Sequence, residues 1–347
     1  MKKCEREAIE LNQKDNLFNL EAGIIIVAAG IQAFDPKNAY GYNRFENVIT
    51  QLELERIMAP NGPTEGNFRR ISDEKVPKKM LMIQCVGSRS LATNEYCSAG
   101  ICCMVAIKNA RILKQHHPSS EIIISYIDIR APGKDYEEYY KNARDMGIKF
   151  VRGSVSQVRE DKLTKNLKVI LEDTLENKIK ELEFDLVVLS VAIQPAPSIN
   201  KIAKITKLAL SNGGFLKEFH SRLDPIGTKM PGIFLSGACQ GPKSVDETVM
   251  MAKGASSSAA TLMIQGIYEI KLIKAKINNE KCVKCGICLE ICQFDAIKIK
   301  NDKMKVDEIM CRGCGACSSM CKNNAIELPQ YRSEQMNTFL DYLFQEI

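Results

Sequence analysis

Two runs of cysteines near the C-terminus have the spacing that holds iron-sulfur cubes. Both runs read C-x2-C-x2-C-x3-C, and the second repeats the first 29 residues further along the chain. In this pattern three closely spaced thiolates bind three corners of one 4Fe-4S cube, and the fourth cysteine reaches across to the other cube. The predicted ligand sets are therefore Cys282, Cys285, Cys288 and Cys321 for one cluster, and Cys311, Cys314, Cys317 and Cys292 for the other.

This spacing is that of a two-cluster ferredoxin domain, and structural zinc is the alternative. Zinc sites usually take their ligands from two separated pairs, often with histidine. The only histidines of the chain are His116, His117 and His220, all far from the two runs. Iron-sulfur clusters are therefore the favoured interpretation.

Residues beside the cysteines predict how the clusters are held. Gly286, Gly313 and Gly315 allow tight turns that aim backbone N–H groups at the sulfurs. The chain departs from the usual motif at Gln293 and Lys322, where proline commonly stands. We expect altered local solvation or potential there, with both clusters retained. Two neighbouring cubes would conduct electrons rather than carry out a reaction.

Four further cysteines lie in the middle of the chain. The segment CVGSRSLATNEYCSAGICCM contains Cys85, Cys97, Cys102 and Cys103 and follows a strand-like run. Cysteines that converge at a strand end and a helix start could bind a third iron-sulfur cluster, with the adjacent pair on the helix N-terminus. Buried thiols with a chance Cys-Cys pair are the alternative, and composition alone does not decide between the two.

The region around these four cysteines predicts a small parallel α/β domain, because strand and helix signals alternate. The predicted strands are Lys79 to Cys85, Glu121 to Ile129 and Lys149 to Val158, and the predicted helices are Met104 to His116 and Tyr136 to Met146. A nucleotide-binding domain of this kind carries a glycine-rich turn after its first strand. The absence of that turn from this position argues against NAD(P)H chemistry.

Other segments resemble the return segments of the two-dinucleotide-domain flavoprotein fold of thioredoxin reductases. Glu21 to Gly30 and Phe184 to Ile193 are predicted buried strands, and Gly232 to Gly241 precedes a helix. That helix begins at Ser244, which fits a capping box with Glu247.

In that fold the N-terminus of the last helix points at the flavin ring, where its positive dipole end stabilises charge on the reduced flavin. The residues that the resemblance places at the flavin are Ala29, Gly30, Gly237, Ala238, Lys243 and Ser244.

Length, charge and cysteine content limit the classes of function. A chain of 347 residues holds two or three domains, and its net charge of +6 comes from 48 basic and 42 acidic side chains spread along the sequence. This balance favours neither nucleic acid nor membrane surfaces, and no apolar run reaches the roughly 20 residues of a membrane span. Fourteen cysteines without a signal peptide predict a cytoplasmic protein whose thiols hold metal.

The motifs CVGSRS, YCSAGICCM, YIDIRAPGKDYEEYY, FVRGSVSQV, DLVVLSV and SGACQGPKS closely resemble the iron-sulfur A subunits of the heterodisulfide reductases. The resemblance runs from Cys4 to the C-terminal tail. It implies a flavin-based electron-bifurcating iron-sulfur protein that serves methanogenesis. The implied fold has an N-terminal cluster region, a thioredoxin-reductase-like FAD module with an inserted ferredoxin domain, and a C-terminal ferredoxin domain.

The same resemblance assigns roles to particular residues. It places an unusual cubane on the cysteines of the CVGSR and CC segments, which are here Cys85, Cys97, Cys102 and Cys103. The chain has one more residue between Cys97 and Cys102 than the usual YCSxxCC wording of the family. The resemblance also places Lys108 and Glu55 beside the flavin as catalytic residues; ordinary solvated side chains are the alternative.

Cys4 follows the pattern of the ferredoxin repeats. Cys292 and Cys321 are each followed by Ala-Ile four and five residues later, and Cys4 is followed in the same way by Ala8 and Ile9. Cys4 thus resembles the last ligand of the inserted ferredoxin domain, whose other cysteines would precede this chain together with the GxGxxG turn of the flavin domain. A chance thiol is the alternative. We expect either a second polypeptide that completes the fold or a shortened product that binds flavin poorly.

The predicted domain organisation follows from these motifs. It comprises a remnant of the inserted ferredoxin domain (1–11), part of the FAD-binding domain (12–77), an NAD-domain-like α/β domain with the central cysteines (78–195), a return segment of the FAD-binding domain (196–270), a two-cluster ferredoxin domain (271–330) and an amphipathic helix (331–347). On that helix an apolar stripe either packs on its own domain or docks another subunit. The stripe consists of Met336, Phe339, Leu340, Leu343, Phe344 and Ile347.

The predicted fold class is α/β, a partial thioredoxin-reductase-like flavoprotein with a C-terminal α+β ferredoxin domain. The predicted function is electron transfer within a heterodisulfide-reductase-type complex, with two or three 4Fe-4S clusters and an FAD shared with a partner chain. The implied partners are the other reductase subunits, a chain with the missing N-terminal half, a hydrogenase or dehydrogenase donor, and ferredoxin.

Three alternatives stay open at this point. One is a related flavoprotein subunit of a sulfate-reduction complex, and another is a ferredoxin-like carrier without flavin. A thioredoxin-type exchange enzyme is the least expected, because the only C-x-x-C pairs belong to the ferredoxin repeats.

Overall fold

The computed structural model describes residues 8, 10, 12–267 and 273–345. Cys4 and Ile347, both named in the predictions above, lie outside the described residues. Within the described ranges no helix combines the length and the apolar character that crossing a membrane requires.

The described chain contains strands and helices throughout. The strands are β1 (Ile25–Val27), β2 (Ile31–Ala33), β3 (Val48–Thr50), β4 (Lys79–Val86), β5 (Glu121–Tyr126), β6 (Lys149–Arg152), β7 (Val155–Glu160), β8 (Leu167–Asp173), β9 (Lys178–Phe184), β10 (Leu186–Val191), β11 (Ile193–Pro195), β12 (Ile233–Leu235), β13 (Lys276–Ile277), β14 (Ile297–Lys300), β15 (Lys303–Val306) and β16 (Ile326–Glu327). The helices are α1 (Gln51–Met58), α2 (Ile101–His116), α3 (Tyr136–Asp145), α4 (Ile199–Thr206), α5 (Val245–Gln265), α6 (Ile287–Ile291), α7 (Ala316–Ser319) and α8 (Ser333–Gln345).

A five-stranded parallel sheet forms the centre of the chain, in the order β3-β10-β4-β5-β6. Leu81 of β4 is aligned with Val187 of β10 on one side and with Ile123 of β5 on the other. The inner strands are continuous apolar runs because both faces of the sheet are covered. The chain leaves β4 towards β5 on one side and returns through β10 on the other, so β4 borders the switch point of the sheet.

Different layers cover the two faces of this sheet. Met80 and Met82 of β4 pack with α1 and α2, whereas Leu81 and Ile83 pack with the antiparallel sheet β7-β8-β9. This division follows from the alternation of side chains along a strand. The central cysteines therefore belong to a domain with a core on each side of its sheet.

The strand predicted from Lys149 to Val158 is wrong as one element. It breaks after Arg152, where the amide of Gly153 donates to the carbonyl of Tyr126 at 2.9 Å, and Val155 begins a strand of the second sheet. The β8–β9 hairpin that completes this second sheet was not predicted. Both halves of the predicted strand consist of strand-forming residues, so only their pairing partners reveal the break.

The predicted domain boundary between residues 77 and 78 differs from the structure. β3 and α1 lie in the range assigned to the FAD-binding domain, yet β3 pairs with β10 of the central sheet. Leu54 and Ile57 of α1 are buried in the core beneath α2. A three-residue strand carries too weak a sequence signal to be assigned before its partner is known.

A smaller sheet accompanies α5. β1 pairs in parallel with β12, with Val27 opposite Leu235, and β2 pairs with β11 in an antiparallel sheet. The capping box at the start of α5 is confirmed: Glu247 N donates to Ser244 Oγ at 3.4 Å, and the Glu247 carboxylate accepts from Ser244 N at 2.8 Å. The buried strand predicted over residues 21–30 is shorter, and only Val27 is buried, because a two-stranded sheet leaves much of its surface uncovered.

The C-terminal domain has the predicted α+β arrangement. β13 pairs with β16 and β14 with β15, both antiparallel, and the short helices α6 and α7 lie against each other. Met304 and Met310 are buried among the cysteines at its centre.

The described part of α8 lies at the surface with its apolar stripe exposed. Met336 is 39% exposed and Phe344 is 71% exposed. Packing of the stripe on its own domain is therefore wrong for these residues, because the ferredoxin core is closed by its own strands and short helices. Docking to another subunit stays a prediction.

The two-layer core predicts how single substitutions on β9 affect stability. Phe184→Ala removes a fully buried ring between the sheets and should lower the free energy of unfolding by about 3–5 kcal/mol. Ile179→Ala on the same strand, where the side chain is 78% exposed, should change it by less than about 0.5 kcal/mol. Urea unfolding of the anaerobic full chain, followed by circular dichroism, measures both values. Equal effects would contradict the described packing.

Candidate iron-sulfur and flavin sites

Two cavities in the C-terminal domain bring the predicted ligands together. One small cavity is lined by one crossed set, Cys292, Cys311, Cys314 and Cys317. A second cavity of about 770 Å³ is lined by the other set, Cys282, Cys285, Cys288 and Cys321. In each case the fourth cysteine comes from the other run of the sequence. The placement agrees with the ligand sets expected for two cubes.

Backbone turns of the same shape begin α6 and α7. Gly286 and Gly315 precede these helices, and both have a φ of 82°. This left-handed conformation strains any residue that has a Cβ. The two halves of the domain therefore present their cysteine runs through equivalent turns.

Backbone amides donate to the sulfurs of three ligands. Ala296 N lies 3.3 Å from Cys292 Sγ, and Ala325 N lies 3.3 Å from Cys321 Sγ. Ala275 N lies 3.4 Å from Cys311 Sγ. The first two contacts are equivalent in the two halves of the domain, because in each the chain folds back to its own cysteine after four residues. Such donors stabilise anionic sulfur.

The cysteine cavities disfavour free thiolates. Burial, and then the neighbouring Cys292, Cys311 and Cys314, raise the pKa of Cys317 to about 11. Burial and then Cys282 also raise the pKa of Cys288. Burial therefore disfavours the thiolate form of Cys288 and Cys317.

Within the described residues no three His, Cys, Asp or Glu side chains are grouped as a single metal ion would need. A 4Fe-4S cube binds each thiolate through a different iron, so its ligands surround the cube rather than meet at one point. The cavities fit that chemistry.

The central cysteines lie at the carboxyl edge of the parallel sheet. Cys85 is near the end of β4, at the switch point where open α/β sheets bind their ligands. Its φ of 60° is left-handed, which is unusual for a residue with a side chain and is typical of functional sites. A cysteine cluster thus replaces the glycine-rich turn at this position.

The remaining three cysteines approach Cys85 from the segment that leads into α2. Cys102 and Cys103 are buried in the first turn of this helix, where its positive dipole end favours anionic sulfur. Gly100 precedes them, and a Cβ there would lie 2.6 Å from Pro132 Cδ and 2.8 Å from Arg130 O. Cys97 is half-buried and lies close enough to influence the titration of Cys85 and Cys102.

Charge around this site is balanced by arginine. A hydrogen bond between the adjacent thiols raises the pKa of Cys102 and lowers the pKa of Cys103, with a smaller lowering contribution from Arg130. Burial raises the pKa of Cys85, whereas nearby Arg89 opposes that rise. Arg89 is itself held by Asp128 at 2.7 Å. The environment is therefore suited to an anionic group.

The pairing of β1 with β12 brings the predicted flavin residues to one edge. Ala29 and Gly30 follow the end of β1, and Gly237 and Ala238 follow the end of β12. Space around Gly30 is open, since a Cβ built there meets no atom within 4 Å. Lys243 and Ser244, the other two predicted residues, lead into the N-terminus of α5. This grouping at the carboxyl ends of parallel strands fits a nucleotide cofactor.

Lys108 and Glu55 form an ion pair across the interface of α2 and α1. The Lys108 ammonium lies 2.6 Å from Glu55 Oε1, and both side chains are partly exposed. Asn109 Nδ2 donates to the same carboxylate oxygen at 3.4 Å and to Gln51 Oε1 at 2.8 Å. Lys108 is about 7.5 Å along the helix axis from Cys103. Their position beside a flavin stays a prediction.

Sequence reasoning missed several residues of these sites. The sequence shows Ala296 and Ala325 in a repeated pattern but does not reveal that their amides contact sulfur. Arg89 stands in the motif CVGSR, close to Cys85 in the sequence. Cys239 received no assignment; its buried thiol donates to Val27 O at 3.2 Å and holds the β1–β12 region together. No local signal separates such a structural thiol from a ligand.

Comparison with known proteins supports the two cluster sites of the C-terminal domain. The model of the 4Fe-4S binding domain matches residues 275–298 and 304–327, one match for each cysteine run. The iron-sulfur A subunit of CoB–CoM heterodisulfide reductase from Methanocaldococcus jannaschii is 46% identical over 299 residues, which is 85% of this chain and 46% of that protein. The chain is homologous to the A subunits of heterodisulfide reductases. The family resemblance predicted from the motifs is confirmed.

Other relatives carry related names. The A subunit of the H2/formate:CoB-CoM heterodisulfide, ferredoxin reductase from Methanococcus maripaludis is 46% identical over 84% of this chain and 45% of that protein. The chain spans about half the length of the curated relatives that it matches.

Among solved structures, the thioredoxin reductase of T. acidophilum superposes with a TM-score of 0.45 at 16% identity, over 70% of this chain and 66% of that one. Similarity at that level supports no conclusion about the fold. The central sheet and the α5 unit confirm the predicted α/β class. The two matched repeats confirm the predicted ferredoxin domain.

The crossed ligand sets make a prediction for paired substitutions. Cys292→Ala combined with Cys311→Ala removes two ligands of one cavity and should cost one cluster, or about four irons. Cys292→Ala combined with Cys288→Ala affects both cavities and should cost about eight. Iron and sulfide analysis of the anaerobic protein measures the difference.

The matched control is Cys239→Ala, which removes a buried thiol bonded to Val27 O and should leave the iron content unchanged. The same iron loss in both double variants would refute the crossed sets.

Proposed function

We propose that this chain is the electron-transfer part of a heterodisulfide-reductase-type complex. The observation that carries this proposal is the pair of cavities lined by crossed cysteine sets, in a chain homologous to those reductase subunits. Sites of this kind hold 4Fe-4S clusters, which supply single-electron transfer. The chain is then an oxidoreductase subunit that acts on sulfur groups together with partner chains, in the cytoplasm.

In this proposal the ferredoxin domain links the interior of the complex to a partner. Cys285 and Cys314 are the exposed members of the two ligand sets, while Cys288, Cys311 and Cys317 are buried. Each cavity therefore has one side near solvent and one side within the protein. A redox partner would approach on the exposed side.

The central cysteines form the proposed third cluster site. Its support is the position of Cys85, Cys102 and Cys103 at the switch point of the sheet and the first turn of α2, with Arg89 and Arg130 nearby. These residues would hold the cluster and offset its negative charge. Cys85 also borders an open groove of about 1210 Å³ that gives access to this edge of the sheet.

FAD is the second proposed cofactor, and it supplies the division of an electron pair into single electrons. The residues after β1 and β12 would line its site, and the partly exposed Lys108–Glu55 pair would orient charge beside it. The sequence has no glycine-rich phosphate-binding turn after β4 or elsewhere in the segments assigned to the flavin. We infer that another polypeptide segment binds the phosphates of the FAD.

The proposed reaction divides electron pairs between a disulfide and ferredoxin, the two acceptors in the name of the Methanococcus maripaludis relative. A hydrogenase or dehydrogenase is the proposed donor. Other reductase subunits and a chain with the remaining half of the flavin domain are the proposed partners.

The third cluster predicts the iron content of the anaerobic full chain. Three cubes require about twelve irons per chain, and two require about eight. Cys103→Ala removes a buried ligand beside Cys85 and should lower the count by about four. Cys239→Ala, a substitution of a buried thiol outside the predicted ligand sets, should leave the count unchanged. Eight irons in the unmodified protein would refute the third cluster and leave the ferredoxin pair intact.

The shared flavin site predicts weak retention of FAD by this polypeptide alone. The chain should lose FAD on gel filtration, because the β1–β12 edge is open and the segments assigned to the flavin contain no glycine-rich phosphate-binding turn. Copurification with the native partner chains should restore about one FAD per complex, measured by absorbance after release. Tight stoichiometric binding by the isolated chain would contradict the need for a second polypeptide segment.

A further inference from the structure

Two buried polar side chains beside Cys85 have no partner among the described residues. Gln84, 7% exposed, makes no hydrogen bond through either Nε2 or Oε1. Ser88, 4% exposed, makes none through Oγ. A buried donor left without an acceptor costs about 1–3 kcal/mol. Two such groups, one on each side of Cys85 in the sequence, indicate a bound acceptor.

Gln84 lies near the end of β4, at the edge of the sheet where the helix that carries the cysteine pair begins. Met80 and Met82 of β4 pack with Ala106 and Ala110 of α2. Gln84 lies two residues beyond Met82 and next to Cys85, where the pairing of β4 with β10 shifts register between Ile83 and Val86. α2 begins with Cys102 and Cys103 at the same carboxyl edge of the sheet.

Ser88 reaches the same place from the turn after β4. Its amide donates to the carbonyl of Cys85 at 3.1 Å, which folds the segment Cys85 to Ser88 back on itself. Ser88 is buried, so its hydroxyl is kept from water within the turn that begins at Cys85. Gln84 and Ser88 consequently lie on either side of Cys85 in the sequence, the left-handed residue next to the end of β4.

We propose that Gln84 and Ser88 donate hydrogen bonds to the sulfur of the cluster at Cys85, Cys97, Cys102 and Cys103, and thereby set its reduction potential. Cluster sulfur accepts hydrogen bonds and does not donate them, which matches Gln84 Nε2 and Ser88 Oγ. The Gln84 oxygen is left for a buried water, as is common beside polar sites. This inference rests on the third cluster of the proposed function.

Hydrogen bonds to cluster sulfur favour the reduced state, because reduction adds negative charge. Gln84 and Ser88 would therefore keep the potential of this cluster higher than the thiolates alone would. They are positioning residues of the site rather than ligands.

The test is a redox titration of the anaerobic full chain followed by electron paramagnetic resonance. Gln84→Met keeps the length of the side chain and removes its donor, and it should move the third signal to a lower potential with the iron content unchanged. Ser88→Ala should do the same, and Ser88→Thr, which keeps the hydroxyl, should remain near the unmodified value. The two ferredoxin signals of each sample should not move.

Gln51→Met is the matched control. Gln51 is an equally buried glutamine, but its Nε2 donates to Ser190 Oγ at 3.2 Å and its Oε1 accepts from Asn109. Its replacement should lower stability without shifting the third signal.

Several outcomes decide the matter. An unshifted third signal in Gln84→Met and Ser88→Ala, at full iron content, would overturn this inference and leave the third cluster standing. Eight irons in the unmodified chain would overturn both. If Gln84→Met loses iron, the Ser88→Ala and Ser88→Thr pair decides: a shift in the first alone supports the inference, and no shift in the first overturns it.

Discussion

Anionic sulfur has to be kept from water while hydrogen-bond donors surround it, and the architecture of this chain follows from that requirement. In the ferredoxin domain the donors are backbone amides, and the chain returns to Cys292 and Cys321 after four residues to provide them. Equivalent left-handed turns at Gly286 and Gly315 set the two halves in the same relation to their cysteines. Most of the domain consists of the segments that surround the two sets of cysteines.

The central domain places four further cysteines on a different scaffold. A parallel sheet places all its strand ends at one edge, and the helix that follows β4 brings its positive end there. Nucleotide-binding proteins use this arrangement for phosphate. In this chain Cys85, Cys102 and Cys103 occupy it, with Arg89 in place of a phosphate-binding turn. Cysteine side chains can take the place of a phosphate-binding turn at this edge without any change in the order of the strands.

The α5 unit has a different character, because its parallel sheet has two strands among the described residues. β1 and β12 pair only with each other among the described strands, and Ile25 and Ile26 are exposed although they belong to an apolar strand. A parallel pair of this size gains little stability by itself. The exposed apolar side chains of β1 form an uncovered surface on this unit. The exposed stripe of α8 is a second such surface, at the other end of the described chain.

The sequence by itself determined the capped helix at Ser244 and most strands of the central sheet, and it predicted the cysteine chemistry and the crossed ligand sets, because spacing, capping and apolar runs are local properties. It also indicated the family through motifs such as CVGSRS. Only the tertiary structure decided that β3 joins the central sheet, that the strand after Lys149 divides between two sheets, and that Lys108 pairs with Glu55. Only the tertiary structure shows that Gln84 and Ser88 are buried and that their side chains have no hydrogen-bond partner among the described residues. Those features depend on which distant segments meet, and no local pattern specifies that.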